Sequence, residues 1–208
     1  MKPKVIVNCA MSADGKIALP DRSEIKISGE EDFERVHRLR NSVDAIVVGI
    51  GTVLADDPKL TVKSKYVDDP KKPLKVILDS DGRTPESAQL FNKGEYLIVT
   101  TEDIDKDSWI KCGENRVDLN QLMEVLSDKG IENVLVEGGG EVIYSFLKEG
   151  FVDEMSIYIG SLIIGGREAP TPADGEGAGD ITDTIGLKLE SYERMDEGIL
   201  LRYKVGLG

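Results

Sequence analysis

The sequence predicts an α/β fold of three layers, with a mainly parallel sheet and an antiparallel hairpin at the C-terminal end. Short apolar runs, which are typical of buried strands, alternate with helix-like segments along most of the chain. Near the end, residues 187–193 and 199–205 alternate between apolar and polar around a turn, which is typical of a hairpin. The length of 208 residues suits a full core, and we expect one domain over residues 1–208.

The predicted elements follow one another in a regular order. Buried strands are predicted at residues 5–10, 45–49, 75–78, 96–100, 133–137 and 154–159. Helices are predicted from a Ser28 cap to Asn41, from near Thr52, and over residues 119–129 and 141–148. Residues 165–180 are rich in glycine, proline and acidic side chains, so we expect a loop there.

Composition excludes several classes of function. The net charge of −13 repels nucleic acid, and no run of Lys and Arg offers a local basic patch. No apolar run approaches the roughly 20 residues that cross a bilayer, and the N-terminus lacks a signal-peptide pattern, so we expect a cytoplasmic protein without membrane or nucleic-acid partners. Cys9, Cys112 and His37 are the only residues of their types, too few for a conventional zinc site, and we expect no metal.

Glycine-containing turns follow two of the predicted strands. Residues 49–58 follow one strand, and Gly138, Gly139 and Gly140 follow another. Each turn leads into a helix N-terminus, whose free N–H groups bind phosphate well, at the sheet edge where open α/β sheets bind ligands. Neither turn matches the G-x-G-x-x-G fingerprint, and glycine also permits tight connections that bind nothing. One turn alone leaves both interpretations open, whereas two together favour a dinucleotide.

A positive charge falls on the predicted apolar face of the first helix. Phe33 and Val36 define that face, and Arg40 follows Phe33 by seven residues, which places it on nearly the same line. A guanidinium there needs a partner, and its fork suits a phosphate. A salt bridge to a buried carboxylate, or a side chain that reaches solvent at the helix end, also explains the position.

Four segments together resemble the pyrimidine reductases of the riboflavin pathway: residues 8–16, 36–40, 49–61 and 137–140. The resemblance covers nearly the whole chain in the family's order, and its most specific part is the element Gly-Thr-Val-x-x-Asp-Asp-Pro-x-Leu-Thr. It is closest to the stand-alone 2,5-diamino-6-ribosylamino-4(3H)-pyrimidinone 5′-phosphate reductases of archaeal type. The resemblance implies a dihydrofolate-reductase-like fold, a homodimer, and NADPH or NADH as cofactor.

The resemblance also assigns roles by position. The implied cofactor contacts are Thr52, Asp56, Ser80, Gly138, Gly139, Gly140 and Glu141. The implied substrate contacts are Asn8, Arg40, Leu60 and Glu137, with Arg40 toward the ribose phosphate. Lys63 stands where bacterial relatives carry an Arg for the same phosphate, so it keeps the charge but lacks the bidentate fork. On charge grounds alone, we add Arg83 as a partner for a cofactor 2′-phosphate.

The implied reaction reduces a ribosyl group to a ribityl group by hydride transfer from the nicotinamide to C1′ of a phosphorylated pyrimidine. Glu137 is the candidate catalytic group for proton transfer, or it hydrogen-bonds the pyrimidine instead. Bifunctional relatives carry a zinc deaminase site with His and Cys ligands, which this chain lacks; that favours the diamino substrate over the deaminated 5-amino-6-(5-phosphoribosylamino)uracil. A dihydrofolate reductase and a non-catalytic nucleotide-binding protein of the same fold are the alternatives.

Overall fold

The structure is a computed structural model that describes residues 2–23 and 25–206. The chain divides into two compact units: the first comprises Met1–Lys4 and His37–Val136, and the second comprises Val5–Val36 and Glu137–Gly208. The described residues form nine strands of a mostly parallel sheet whose C-terminal strands are antiparallel, so the predicted fold class is confirmed. No helix in the described part of the chain is long and apolar enough to cross a membrane.

The helices and strands lie close to the predicted positions. The strands are β1 (Lys4–Ser12), β2 (Ala45–Gly49), β3 (Leu74–Leu78), β4 (Tyr96–Thr100), β5 (Trp109–Lys111), β6 (Asn133–Gly138), β7 (Val152–Gly160), β8 (Leu187–Met195) and β9 (Gly198–Val205). The helices are α1 (Glu30–Asn41), α2 (Ile50–Asp56), α3 (Leu119–Asp128) and α4 (Gly140–Lys148), and short 3-10 turns lie at Gln89–Asn92 and Ile181–Asp183. The prediction from the sequence missed β5, because three residues are too few to show a pattern.

In the first unit, four strands pair in the order β5-β4-β3-β2, and all of these pairs are parallel. Every side chain of β2 is buried, which explains why this strand is an unbroken apolar run. The carboxylate of Asp118 accepts hydrogen bonds from two backbone amides at the start of α3. That cap fixes the first turn of a helix that buries Leu119, Leu122, Met123 and Leu126.

In the second unit, four strands pair in the order β1-β7-β9-β8. The pairing of β1 with β7 is parallel, whereas β7 with β9 and β8 with β9 are antiparallel. The predicted hairpin is therefore confirmed, and Asp196 at its turn has a φ of 50°. The apolar face predicted for α4 is also buried at Ile143, Phe146 and Leu147.

The start of α1 differs from the prediction that Ser28 caps it. The helix begins at Glu30, and the backbone amides of Glu31 and Asp32 donate to the carboxylate of Asp196, each at 3.1 Å. The amide of Asp196 in turn donates to Glu31 Oε2 at 3.1 Å. The prediction was wrong because the capping side chain comes from the β8–β9 turn, 165 residues from Glu31, and no local pattern reports it.

The predicted apolar face of α1 was also wrong. Phe33 is 39% exposed, whereas the polar side chains of Asp32 and His37 are buried. Both find partners that permit burial: Asp32 Oδ1 lies 2.8 Å from Arg35 Nη2, and the His37 ring stacks on Tyr66 with centroids 4.9 Å apart. The helix therefore buries polar groups in satisfied contacts. The reasoning that Arg40 needs a partner because it lies on an apolar face of α1 therefore does not hold.

Candidate functional site

The first glycine turn, in the first unit, leads directly from β2 into α2. The helix begins at Ile50, two residues before the predicted opening near Thr52, with Gly49 as its N-cap and no side-chain cap. Gly49 has a φ of −85°, so the turn does not need a left-handed residue there. Thr52 is half-buried and Asp56 is exposed. The uncapped amides of this first turn remain suited to an anion.

Three predicted substrate residues come together in the first unit. Arg40 Nη1 donates to the carbonyl oxygen of Thr61 at 3.3 Å, between Leu60 and Lys63. The amide of Lys63 donates to His37 Nδ1 at 3.4 Å, and Leu60 is buried with a φ of 47°. The C-terminal half of α1 thus holds the segment that carries Leu60 and Lys63. The hydrogen bonds from α1 therefore keep the segment that carries Lys63 next to the helix that carries Arg40.

The turn after β3, also in the first unit, places Ser80 and Arg83 differently. The Ser80 carbonyl oxygen accepts hydrogen bonds from the hydroxyls of Thr100 and Thr101, both at 2.9 Å, and Ser80 Oγ accepts one from the Val117 amide at 3.3 Å. Ser80 is thus fixed at the sheet edge. Arg83 is exposed, and its Nε lies 3.3 Å from a carboxylate oxygen of Asp81, which competes with any phosphate for the guanidinium.

In the second unit, Asn8 lies on β1 with 7% of its surface exposed. Its Oδ1 accepts a hydrogen bond of 2.7 Å from Arg35 Nη2, and Arg35 Nε donates to Asp32 Oδ1 at 2.8 Å. Sequence reasoning missed both charged residues. Their spacing of three positions on one helix is the signal that predicts the ion pair between them, but nothing local predicts the contact with Asn8.

The glycine triplet ends β6 and begins α4, with no side-chain cap on the helix. Gly139 has a φ of 81°, which disfavours any other residue. A Cβ on Gly140 would lie 2.4 Å from the Thr171 carbonyl oxygen and 2.7 Å from Asp174 Oδ2. The close approach at Gly140 is thus made by the chain's own loop. Glu137 is half-buried, and Glu141 is exposed.

The turn at residues 12–16 anchors the predicted loop 165–180 at its start. The Asp14 carboxylate accepts hydrogen bonds from the amides of Ile164 at 3.0 Å and Gly165 at 2.7 Å. The Ser12 hydroxyl donates to the same carboxylate, and this bond, followed by that of the Ile164 amide, lowers the pKa of Asp14 to about 2. Lys16 Nζ donates to the Ala169 carbonyl oxygen at 2.9 Å. The start of the loop is therefore tied down within the second unit.

Replacing Asp14 by alanine is expected to increase amide hydrogen exchange severalfold at Ile164 and Gly165, because both amides lose their acceptor. The folded pKa of Asp14 is depressed, so its contribution is fully present above about pH 4 and is lost as the pH falls toward 2. The difference between wild type and variant should therefore shrink across that range. Asp21→Ala is the matched control, because among the described residues the Asp21 carboxylate bonds the local Ser23; equal exchange in both variants would contradict the anchor.

The chain matches the family model of the RibD C-terminal domain over residues 3–201. It is 40% identical to a protein of Methanothermobacter thermautotrophicus, with 99% of each chain covered, and 41% identical to one of Archaeoglobus fulgidus, with 95% of this chain and 96% of the other covered. Both proteins are named 2,5-diamino-6-ribosylamino-4(3H)-pyrimidinone 5′-phosphate reductase.

Solved structures show the same fold. RibD of Acinetobacter baumannii superposes with a TM-score of 0.85 at 27% identity over 99% of this chain, which spans 58% of the length of that protein. A riboflavin biosynthesis reductase of Saccharomyces cerevisiae superposes with a TM-score of 0.77 at 24% identity, covering 98% of this chain and 90% of that one. The first of these proteins is thus considerably longer than this chain, whereas the second is of similar length.

Proposed function

Because the chain belongs to the RibD C-terminal domain family, we propose that it reduces the ribosyl group of 2,5-diamino-6-(5-phosphoribosylamino)pyrimidin-4(3H)-one to a ribityl group in riboflavin biosynthesis. The observation that carries the proposal is the 40% identity to the archaeal reductase, over 99% of both chains. Nearly the whole length of this relative is matched, so its name does not refer to a further domain outside the match. We propose NADPH as the cofactor, with NADH as the alternative.

The residues of the chain suit a nicotinamide dinucleotide. A bound cofactor of this class supplies the hydride that C1′ of the substrate receives. The first turns of α2 and α4 both follow a strand end, have glycine caps and lack a capping side chain, which leaves backbone N–H groups for a phosphate. Within the first unit, the proposed cofactor contacts are Thr52, Asp56 and Ser80. Within the second unit, they are residues 138–141. The carboxylates of Asp174, beside Gly140, and of Glu141, in the first turn of α4, oppose an anion there.

Replacing Asp174 by asparagine is expected to tighten NADPH binding about threefold, because a negative charge near the start of α4 is removed while the side chain keeps its shape. The dissociation constant is measured by fluorescence titration at low and high salt, and the gain should fall as salt screens the charge. Glu176→Gln, which removes another acidic charge of the same loop, is the control; its side chain bonds Lys148 and is largely exposed. Unchanged binding by Asp174→Asn would contradict the phosphate site at α4.

Each proposed substrate residue has a separate task. Arg40 binds the ribose phosphate, and Lys63 adds a second positive charge beside the segment that Arg40 holds. Asn8 and Leu60 contact the remainder of the substrate. As the ribose ring opens to an imine at C1′, a proton must move between ring oxygen and nitrogen, and Glu137 either transfers it or hydrogen-bonds the pyrimidine. The chain otherwise contributes by positioning the reacting atoms.

The test is NADPH oxidation with the diamino ribosylaminopyrimidinone 5′-phosphate, followed by the loss of reduced-nicotinamide absorbance. Faster turnover of the diamino compound than of the deaminated 5-amino-6-(5-phosphoribosylamino)uracil is expected. The reverse preference would place the reaction after deamination. Turnover of dihydrofolate alone would contradict the proposal, and tight NADPH binding without oxidation by any of these compounds would indicate a nucleotide-binding protein instead.

We further propose that the chain acts as a homodimer of single reductase domains in the cytoplasm, where its phosphorylated substrate is retained. The edge strand β8 supports a self-association surface, because Leu187, Leu189 and Tyr192 on it are exposed. Light scattering of the wild type should give twice the chain mass, and Leu189→Asp should shift the population to monomer. A monomeric wild type would contradict the dimer.

A further inference from the structure

The buried side of α1 carries an ion pair that none of the proposed roles uses. Asp32 Oδ1 lies 2.8 Å from both Arg35 Nε and Arg35 Nη2. The side chain of Asp32 is 3% exposed and that of Arg35 is 14% exposed. Burying two charges costs desolvation free energy, which is offset only when their geometry and further hydrogen bonds satisfy both groups. The further hydrogen bond here is to Asn8, a residue of the proposed substrate site.

Arg35 fixes the orientation of the Asn8 side-chain amide. Arg35 Nη2 donates to Asn8 Oδ1 at 2.7 Å. A guanidinium has only donors, so it requires the amide oxygen and rejects the amide nitrogen. Turning the amide by 180° would set two donors against each other in a buried place, which costs the full desolvation penalty of both groups. The hydrogen-bond network therefore determines which atom of Asn8 occupies each position.

The amide nitrogen is the part of Asn8 that remains for a ligand. No described residue accepts a hydrogen bond from Asn8 Nδ2, and the side chain bonds Arg35 through its Oδ1. Within residues 2–23 and 25–206, Asp79 Oδ1 is the only buried side-chain polar atom without a partner. Asn8 Nδ2 is therefore not sealed inside the protein, and a group that approaches Asn8 meets a donor.

On the basis of the proposed function, we propose that Arg35, held by Asp32, is a positioning residue that presents Asn8 Nδ2 as a fixed hydrogen-bond donor to an acceptor atom of the substrate. The acceptor is a carbonyl oxygen or a ring nitrogen of the pyrimidine, or an oxygen of the ribose. An amino group of the substrate at this position would oppose the donor, so the arrangement selects the orientation in which the pyrimidine binds.

The support for this network extends to the C-terminal hairpin. Asp196 accepts hydrogen bonds from the amides of Glu31 and Asp32, so it holds the helical turn from which Asp32 reaches Arg35. The network is thus built on a capped helix and on strand β1, which keep its members fixed. A donor that is fixed before the ligand arrives loses little conformational entropy on binding.

The first test uses Arg35→Lys, which keeps a positive charge beside Asp32 but lacks the planar fork that serves two acceptors. The KM for the substrate should rise about tenfold, the equivalent of one lost hydrogen bond, with kcat within about twofold of wild type. Asn8→Ala should raise KM to a similar extent. In the Asn8→Ala background, Arg35→Lys should then change KM by less than about twofold, because Arg35 acts through Asn8. If the double variant instead raises KM by the product of the two single increases, the proposal is overturned.

The second test identifies the donor itself. Asn8→Asp keeps an oxygen toward Arg35 but replaces the Nδ2 donor by an acceptor, so its KM should rise at least as far as that of Asn8→Ala. A wild-type KM in Asn8→Asp would overturn the donor assignment. Arg38→Gln, which removes an exposed charge from the same helix, is the control for a general effect of charge.

Failure of the proposed function is distinguishable from failure of this inference. Absence of turnover by the wild type with every pyrimidine tested would overturn the substrate role of Asn8 together with the proposed function. The contact itself is tested without substrate, by thermal unfolding of Asn8→Ala, Arg35→Lys and the double variant. A decrease in Tm for the double variant that is smaller than the sum of the two single decreases supports the Arg35–Asn8 contact, and additive decreases overturn it.

Discussion

Replacing Arg40 by alanine should raise the KM for the phosphorylated substrate about a hundredfold while kcat changes little. A bidentate, charge-assisted pair with a phosphate contributes more than a neutral hydrogen bond, and the interaction is the same in the ground state and the transition state. Arg40 lies on α1 and already donates to the Thr61 carbonyl oxygen, which holds its side chain beside the segment of Lys63. Arg40→Lys should give an intermediate KM, because the charge remains and the fork is lost.

The decisive comparison uses the dephosphorylated substrate. Wild type and Arg40→Ala should turn it over with similar kcat/KM, since neither protein has a phosphate to bind. Arg38→Ala, on the exposed side of the same helix, should behave as wild type with both substrates. Loss of kcat/KM in Arg40→Ala to the same extent for both substrates would show that Arg40 supports the structure rather than the phosphate.

Replacing Glu137 by glutamine should lower kcat about a hundredfold if its carboxylate transfers the proton that accompanies ring opening. Glutamine keeps the shape of the side chain and one hydrogen-bonding oxygen, but it cannot act as an acid or a base in the reaction. A loss of proton transfer should therefore lower kcat rather than raise KM. Steady-state measurements of kcat and KM at several pH values, together with the single-turnover rate constant, provide the test.

An unchanged kcat at every pH, combined with a raised KM, would assign Glu137 to hydrogen bonding of the pyrimidine and would contradict proton transfer. Glu132→Gln is the matched control, because Glu132 is exposed and lies just before the other end of β6. Circular dichroism and the Tm of both variants check that neither substitution disturbs the fold.

Local patterns sufficed to predict most of the elements, because what defines β2 and β4 is a continuous apolar run inside the element itself. They failed at α1, where burial and capping depend on partners far along the chain. Phe33 is exposed, whereas Asp32 is buried beside Arg35, which in turn bonds Asn8, 27 residues away from Arg35. The true cap, Asp196, belongs to a hairpin that the sequence placed correctly but could not connect to a helix.

The candidate site shows the same division. Motif resemblance named Asn8, Arg40 and Lys63, since these positions are marked by the residues around them. It did not reveal that Arg35 orients Asn8, a contact across 27 residues, or that a carbonyl oxygen lies against Gly140. Contacts of this kind depend on the register of elements in the folded chain, and a pattern within one segment carries no information about that register.

The bond between Asp196 and the start of α1 has a consequence for how the chain folds during its synthesis. The ribosome releases residues 30–41 early, but the carboxylate that caps them emerges 165 residues later. Until then the first turn of α1 has unsatisfied amides, and the strand β9 that completes the second unit is also missing. Contacts so distant in sequence slow folding, because the long loop between them must close first. The β8–β9 turn therefore decides when the first helix becomes stable.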